Sequence, residues 1–255
     1  MLPVSKLART VLVTLALPAV ALADTVTIRA DEWFPYNGAP GSAKPGYMIE
    51  LAQQALAKGG HQVNYALMPW ERALESVRKG EFDCVAGAAK TDATDFVFPE
   101  EPLGKDQAAF YVKKGSAWRY AGLPSLSAIK LAVIAGYSYD DTLDKYIQDN
   151  KGKPALQVLS GDNALDQNVK KLKAGRVDVV VESRAVFNAK VADMGIKDEF
   201  ELAGTQGEAS EVYVACSPAK PSARDYARLL TEGVRAMRAN GELAALLARY
   251  GVEPW

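Results

Sequence analysis

The sequence is poor in the residues that most enzyme chemistry needs. It has one histidine, His61, and two cysteines, Cys84 and Cys216, in 255 residues. A lone histidine without clustered cysteines does not make a zinc-ligand pattern. Ser138, in Gly-Tyr-Ser-Tyr-Asp, lacks the second glycine of a nucleophile elbow and has no histidine beside it, which excludes serine hydrolase chemistry. Neither a GxGxxG fingerprint nor a phosphate-loop pattern occurs, so we expect no cofactor and no metal. The formal net charge is −1, which removes the phosphate attraction that dominates nucleic-acid binding. Apolar residues make up 49%, enough for a substantial core and too many for a disordered chain.

Long apolar runs are also missing beyond the N-terminus, so no spanning helix is expected there. The N-terminus itself reads as an export signal. Lys6 and Arg9 form a positive start, residues 10–20 are largely apolar, and Ala21-Leu22-Ala23 supplies small-x-small. Cleavage is expected after Ala23, with a soluble, exported chain starting at Asp24. No cysteine stands directly after the cleavage site, so a lipid anchor is not indicated. In an oxidising compartment Cys84 and Cys216 could pair. As residues of two apolar runs, they could equally be buried free thiols.

What is present is a phrase that occurs twice. Residues 73–87 read ALESVRKGEFDCVAG and residues 164–181 read ALDQNVKKLKAGRVDVVV. Each is a helix that stops at a glycine (Gly80, Gly175), followed by an aspartate (Asp83, Asp178) and an apolar run that predicts a buried strand. Two copies predict two similarly built α/β lobes, and two lobes predict a cleft for a small molecule. Around the first copy the pattern is strand 25–30, a Pro/Gly-rich loop 31–46, helix 47–58, strand 61–68, helix 70–79 and strand 82–89. This βαβαβ order predicts a parallel sheet covered by helices. Residues 95–107 read as an irregular crossing and 108–114 as a strand. A helix over 138–150 is opened by Ser138, and residues 221–250 are helical with a break at Asn240-Gly241. The first lobe is expected to comprise 24–106 and 209–255, with a second lobe, 107–208, inserted in it.

The ordered set ADEWFPYNG, PGYMIELAQQALAKGG, MPWERALESVRKGEFDCVAGAAKTDATDFVFPEEPLG, LAVIAGYSYDDTLDKY, GRVDVVVES and MRANGELAALLARYG resembles the family 3 bacterial extracellular solute-binding proteins. The resemblance spans nearly all of the chain after residue 23. It implies a two-lobed, type II periplasmic fold that closes on a ligand, a monomer, and an inner-membrane ABC permease as partner. It also implies that residues 211–216 return antiparallel to the first lobe's third strand, which sets Cys84 and Cys216 on neighbouring strands.

The same resemblance points to a ligand set. Trp33 and Trp70 match aromatics that pack against ligands, with Tyr36 beside them. Gly87, Ala89 and Thr94 fall on the first lobe's side, and Tyr137, Ser138 and Glu182 on the second's. Arg72 opens a helix and either contacts an anion in the cleft or is a solvated helix-start charge. The family's amino-acid binders usually carry an arginine where Thr94 stands, for the ligand's carboxylate. They also tend to place an aspartate where Ser183 stands, for its ammonium. Losing such charged contacts typically costs about 2–5 kcal/mol each, so an ordinary α-amino acid held in the usual way is not expected. Glu182 either binds an amine or hydroxyl of the ligand or is a solvated strand-end charge, and Arg184, next but one in sequence, could neutralise it. The alternatives to a transport binder are a ligand-sensing module and an enzyme of the same fold, a cyclohexadienyl dehydratase, with Glu182 or Glu32 as its acid.

Overall fold

A computed structural model describes residues 24–161 and 163–255. The expected leader, residues 1–23, lies outside the described residues. None of the described helices is long and apolar enough to cross a membrane.

Two five-stranded mixed sheets, flanked by helices, form two lobes. In the first sheet, β1 (Thr25–Ala30), β2 (Gln62–Leu67) and β3 (Cys84–Ala88) are parallel, joined through helices α1 (Tyr47–Ala57) and α2 (Trp70–Arg78). The short strand β4 (Gly104–Asp106) leads to β5 (Ala108–Lys113), which opens the second sheet. There β6 (Leu131–Ile134), β7 (Leu156–Leu159) and β8 (Val179–Ser183) are parallel, joined through α3 (Asp141–Asn150) and α4 (Ala164–Lys173). Helix α5 (Arg184–Asp193) and β9 (Phe200–Thr205) complete that lobe. Strand β10 (Ser210–Cys216) then returns to the first, followed by α6 (Ala223–Ala239) and α7 (Glu242–Arg249). The strand orders, β2-β1-β3-β10-β4 and β7-β6-β8-β5-β9, are the same plan twice. In each, an antiparallel strand lies beside the third parallel one.

The repeated phrase has the same physical job in both lobes. Gly80 and Gly175 take φ of 77° and 67° just past helices α2 and α4, where only glycine is unstrained. Asp83 Oδ2 then accepts from Thr27 N at 2.8 Å and Thr27 Oγ1 at 2.5 Å, and Lys220 pairs with its other oxygen at 2.7 Å. Asp178 Oδ2 likewise accepts from Lys130 N at 2.8 Å. Each aspartate ties the third parallel strand of its lobe to the first, so the motif is scaffold rather than site.

Helix α1 buries Tyr47, Met48, Ile49, Leu51 and Leu56 completely, each worth about 1.5–3 kcal/mol by transfer. Cys84 faces Cys216 in the β3–β10 register, and the two form a disulfide with Cα atoms 3.9 Å apart. Two local expectations change. The segment 95–107 is not wholly irregular: β4 pairs with β10 and Val97 bridges Cys216, pairings that a Gly-Lys-Asp strand does not advertise by alternation. The cap of α3 is Asp140, whose side chain accepts from Thr142 N and Leu143 N, and not Ser138. A carboxylate two residues further on meets the free N–H groups better than the hydroxyl can.

Candidate functional site

Parallel strands deliver their C-terminal ends to a shared crevice, and ligands of open α/β sheets bind there. Strands β1, β3, β6 and β8 all end toward the gap between the lobes. Asp31 and Trp33 after β1, Gly87 and Ala89 at the end of β3, Tyr137 and Ser138 after β6, and Glu182 at the end of β8 line one cavity of about 300 Å³. Asp106, at the chain's first crossing, and Ser210 and Val212, at its return, close the hinge side.

The lobes are bonded to each other across this cavity. Trp33 Nε1 donates to Glu182 Oε1 at 3.1 Å, and Tyr137 Oη donates to Asp31 Oδ2. Ser138 Oγ gives its one proton to Asp144 Oδ2 at 2.7 Å, so its 3.2 Å contact with Thr91 Oγ1 is donated by Thr91. At the rim, Lys190 Nζ lies 3.5 Å from Glu32 Oε1. A side chain at Gly136 (φ 76°) would place its Cβ 2.4 Å from Glu71 Cγ, so the lobes meet there without room for one. The two lobes are in direct contact around the cavity.

The profile of bacterial extracellular solute-binding proteins, family 3, matches residues 26–253. The chain belongs to that family. Solved structures agree on the fold of this family 3 protein. It is similar to a histidine kinase sensor domain with similarity to periplasmic binding proteins, at 20% identity and TM-score 0.75 over 90% of this chain and 98% of that one. An ancestral arginine-binding protein bound to arginine superposes at 20% identity and TM-score 0.72, covering 89% and 97%. A structure from the study of glutathione import through a cystine ABC importer of Streptococcus mutans gives 15% identity and TM-score 0.75, covering 91% and 97%. No curated protein sequence matches the chain.

In this family 3 chain seven of the residues singled out from sequence meet at the cavity: Trp33, Trp70, Gly87, Ala89, Tyr137, Ser138 and Glu182. Trp33 is held by a tight turn closed by its bridge to Asn37, and it stacks on Tyr36 at 4.0 Å between ring centroids. Gly87, at φ 97°, packs beside the Trp33 ring. Three expected residues stand elsewhere. Tyr36 lies behind Trp33 and donates to Lys105 O at 2.7 Å, so it supports the wall rather than forming it. Arg72 is exposed and does not line the cavity. Thr94 is exposed beyond the cavity wall, and Thr91, three residues earlier, lines it instead. Arg184 is exposed and Glu32 is directed to Lys190, so neither acts on the cavity's interior.

Sequence reasoning passed over Asp31, Thr91, Asp92 and Asp106, and took Ser183 only as the place of a missing aspartate, although it lines the cavity. Asp31 and Ser183 were accessible by one rule, that residues at the C-terminal ends of parallel strands face the crevice. Thr91, Asp92 and Asp106 lie in irregular segments, where no period reports orientation.

The electrostatics are one-sided. Burial pushes the Glu182 carboxyl up to about 8, against the pull of the Ser183 and Trp33 N–H groups, and the charges of Asp106 and Asp31 raise it further. Burial also raises Asp92 to about 7, against a hydrogen bond from Ala89 N. Asp106 is shifted upward by the same cause, despite bonds from Ser183, Gln107 and Tyr36.

Proposed function

We propose that this protein captures a small organic solute between its lobes in the periplasm and presents the closed form to an inner-membrane ABC importer. The observation that carries the reading is the cavity of about 300 Å³ walled by both lobes and bridged by Trp33–Glu182, Tyr137–Asp31 and Thr91–Ser138. A solute filling it touches both halves at once, so it binds the closed form better than an open one and shifts the population toward closure. The importer then reads closure rather than the ligand itself. With Arg72 exposed and Thr94 outside the wall, the reading excludes an ordinary α-amino acid held by the family's usual arginine.

We read the protein as a monomeric binder without turnover. The dehydratase alternative is tested by incubation with prephenate and arogenate, which should be recovered unchanged. A second reading, a solute sensor for a separate signalling partner, is supported by the similarity to a kinase sensor domain. Co-purification with a permease or with a sensor protein separates the two. The binding reading is tested by a thermal-shift screen across solute classes, because a ligand at about 100 times its Kd adds about 2.7 kcal/mol. Indole fluorescence is an independent readout, since Trp33 and Trp70 both line the cavity.

A further inference from the structure

The charge balance of the cavity narrows its ligand, and this inference rests on the solute-binding reading above. Among the described residues, six carboxylate side chains and no lysine, arginine or histidine line the cavity. Two of the six are on the rim and engaged with α3: Asp140 caps it and Asp141 sits in its first turn. Asp31, Asp92, Asp106 and Glu182 are the inner ones.

Glu182 carries the argument. It is 1% exposed, its Oε1 accepts from Trp33 Nε1 and from Ser183 N, and its Oε2 has no hydrogen-bond partner among the described residues. A buried carboxyl oxygen without a partner is a site waiting for a donor. The neighbouring Arg184 faces solvent, so the chain supplies no cation of its own. Trp33 and Trp70 line the same cavity, and indole rings suit such a partner because the ring quadrupole attracts a cation.

We propose that the solute is a small organic cation of the amine or guanidinium class with no carboxylate of its own, its charged group seated against Glu182 and Asp31 between the two tryptophans. A carboxylate on the ligand would meet a wall of like charge with nothing basic to answer it.

The rival chemistry is a ligand acceptor taking a proton from neutral Glu182. The two differ in sign with pH. The titratable groups facing Glu182 are Asp31, Asp106, Tyr36, Tyr111, Tyr137 and Tyr139. The tyrosines are raised and stay neutral, so the carboxyls set the dependence. A cation needs Glu182 ionised and binds more tightly as the pH rises toward 8. An acceptor needs it protonated and binds more weakly.

The test is calorimetric titration of the purified chain with putrescine, agmatine and choline, alongside arginine, glutamate, succinate and a neutral polyol, at pH 6 and pH 8. The proposal expects binding by at least one carboxylate-free cation, tighter at pH 8 by up to about fifty-fold for one coupled proton. Glu182→Gln should weaken it at least tenfold at pH 8 and flatten the pH dependence, leaving the smaller part that Asp92 supplies. Should Glu182→Gln fail to fold, Asp31→Asn, which removes the second carboxylate of the proposed seat, should weaken cation binding while keeping its rise with pH. Binding only by anionic or neutral solutes, binding that weakens as the pH rises, or arginine binding as tightly as agmatine overturns the proposal and leaves the solute-binding reading standing. Failure of every class to bind overturns both.

Discussion

Raising the pH from 5 to 8 should destabilise the unliganded protein, with Glu182 alone accounting for about 3–4 kcal/mol of the loss. The carboxyl has an ordinary value of 4.5 in the unfolded chain and is held at about 8 in the folded one. The folded state is therefore the stronger proton binder across that interval. The stabilising contribution is complete below 4.5 and is lost as the pH climbs through 8. Asp92, raised to about 7, adds a slope of the same sign. Groups held low by their bonds, such as Asp83 and Asp140, weaken the fold only at pH below the ordinary carboxylate range, outside this window. The assay is urea unfolding at half-unit pH steps, comparing the wild type with Glu182→Gln. Glutamine keeps an oxygen for Trp33 and Ser183 and cannot titrate. It should therefore remove about one proton's slope between pH 5 and 8, close to 1.4 kcal/mol per pH unit, so that the two curves are not parallel. Parallel curves for the two proteins would refute the reasoning, because Glu182 would then not be buried in its neutral form.

Three further outcomes follow from the geometry. Replacing Cys84 and Cys216 by serine reopens a loop with a sequence separation of 132 and should cost about 2–5 kcal/mol, read as a drop of roughly 5–15 °C in melting temperature. Arg72→Ala and Thr94→Ala should leave solute affinity within about twofold, since both side chains are exposed away from the cavity; a loss of tenfold or more in titration calorimetry would put them back in the site. Gly87→Ala should weaken binding and stability together, by about 1–3 kcal/mol in urea unfolding, because alanine is strained at φ 97° at a position that lines the cavity.

The sheets and helices were legible because burial imposes a period or an unbroken apolar run, and because glycines at φ above +60° punctuate the helices. The repeated phrase announced the internal duplication, yet its aspartates proved to be fasteners between strands. Site residues on regular positions, such as Glu182 at the end of β8 and Trp70 at the start of α2, could be placed from sequence. Thr94 could not. The turn at 89–94 is fixed by the Ala89–Asp92 hydrogen bond, which brings Thr91 to the cavity and sends Thr94 outward. Asp31 and Asp106 are paired with Tyr137 and Tyr36, far away in sequence, and such pairings leave no local signal.

The Cys84–Cys216 bond also changes what the protein is as a covalent object. Everything from β4 to β9 lies between the two cysteines, so the whole second lobe is carried inside a closed ring. A single protease cut anywhere in that lobe opens the ring without dividing the molecule. The first lobe's β3 and β10 stay joined, and both fragments remain in one particle. The bond therefore keeps both halves of the cavity attached to one frame after such a cut.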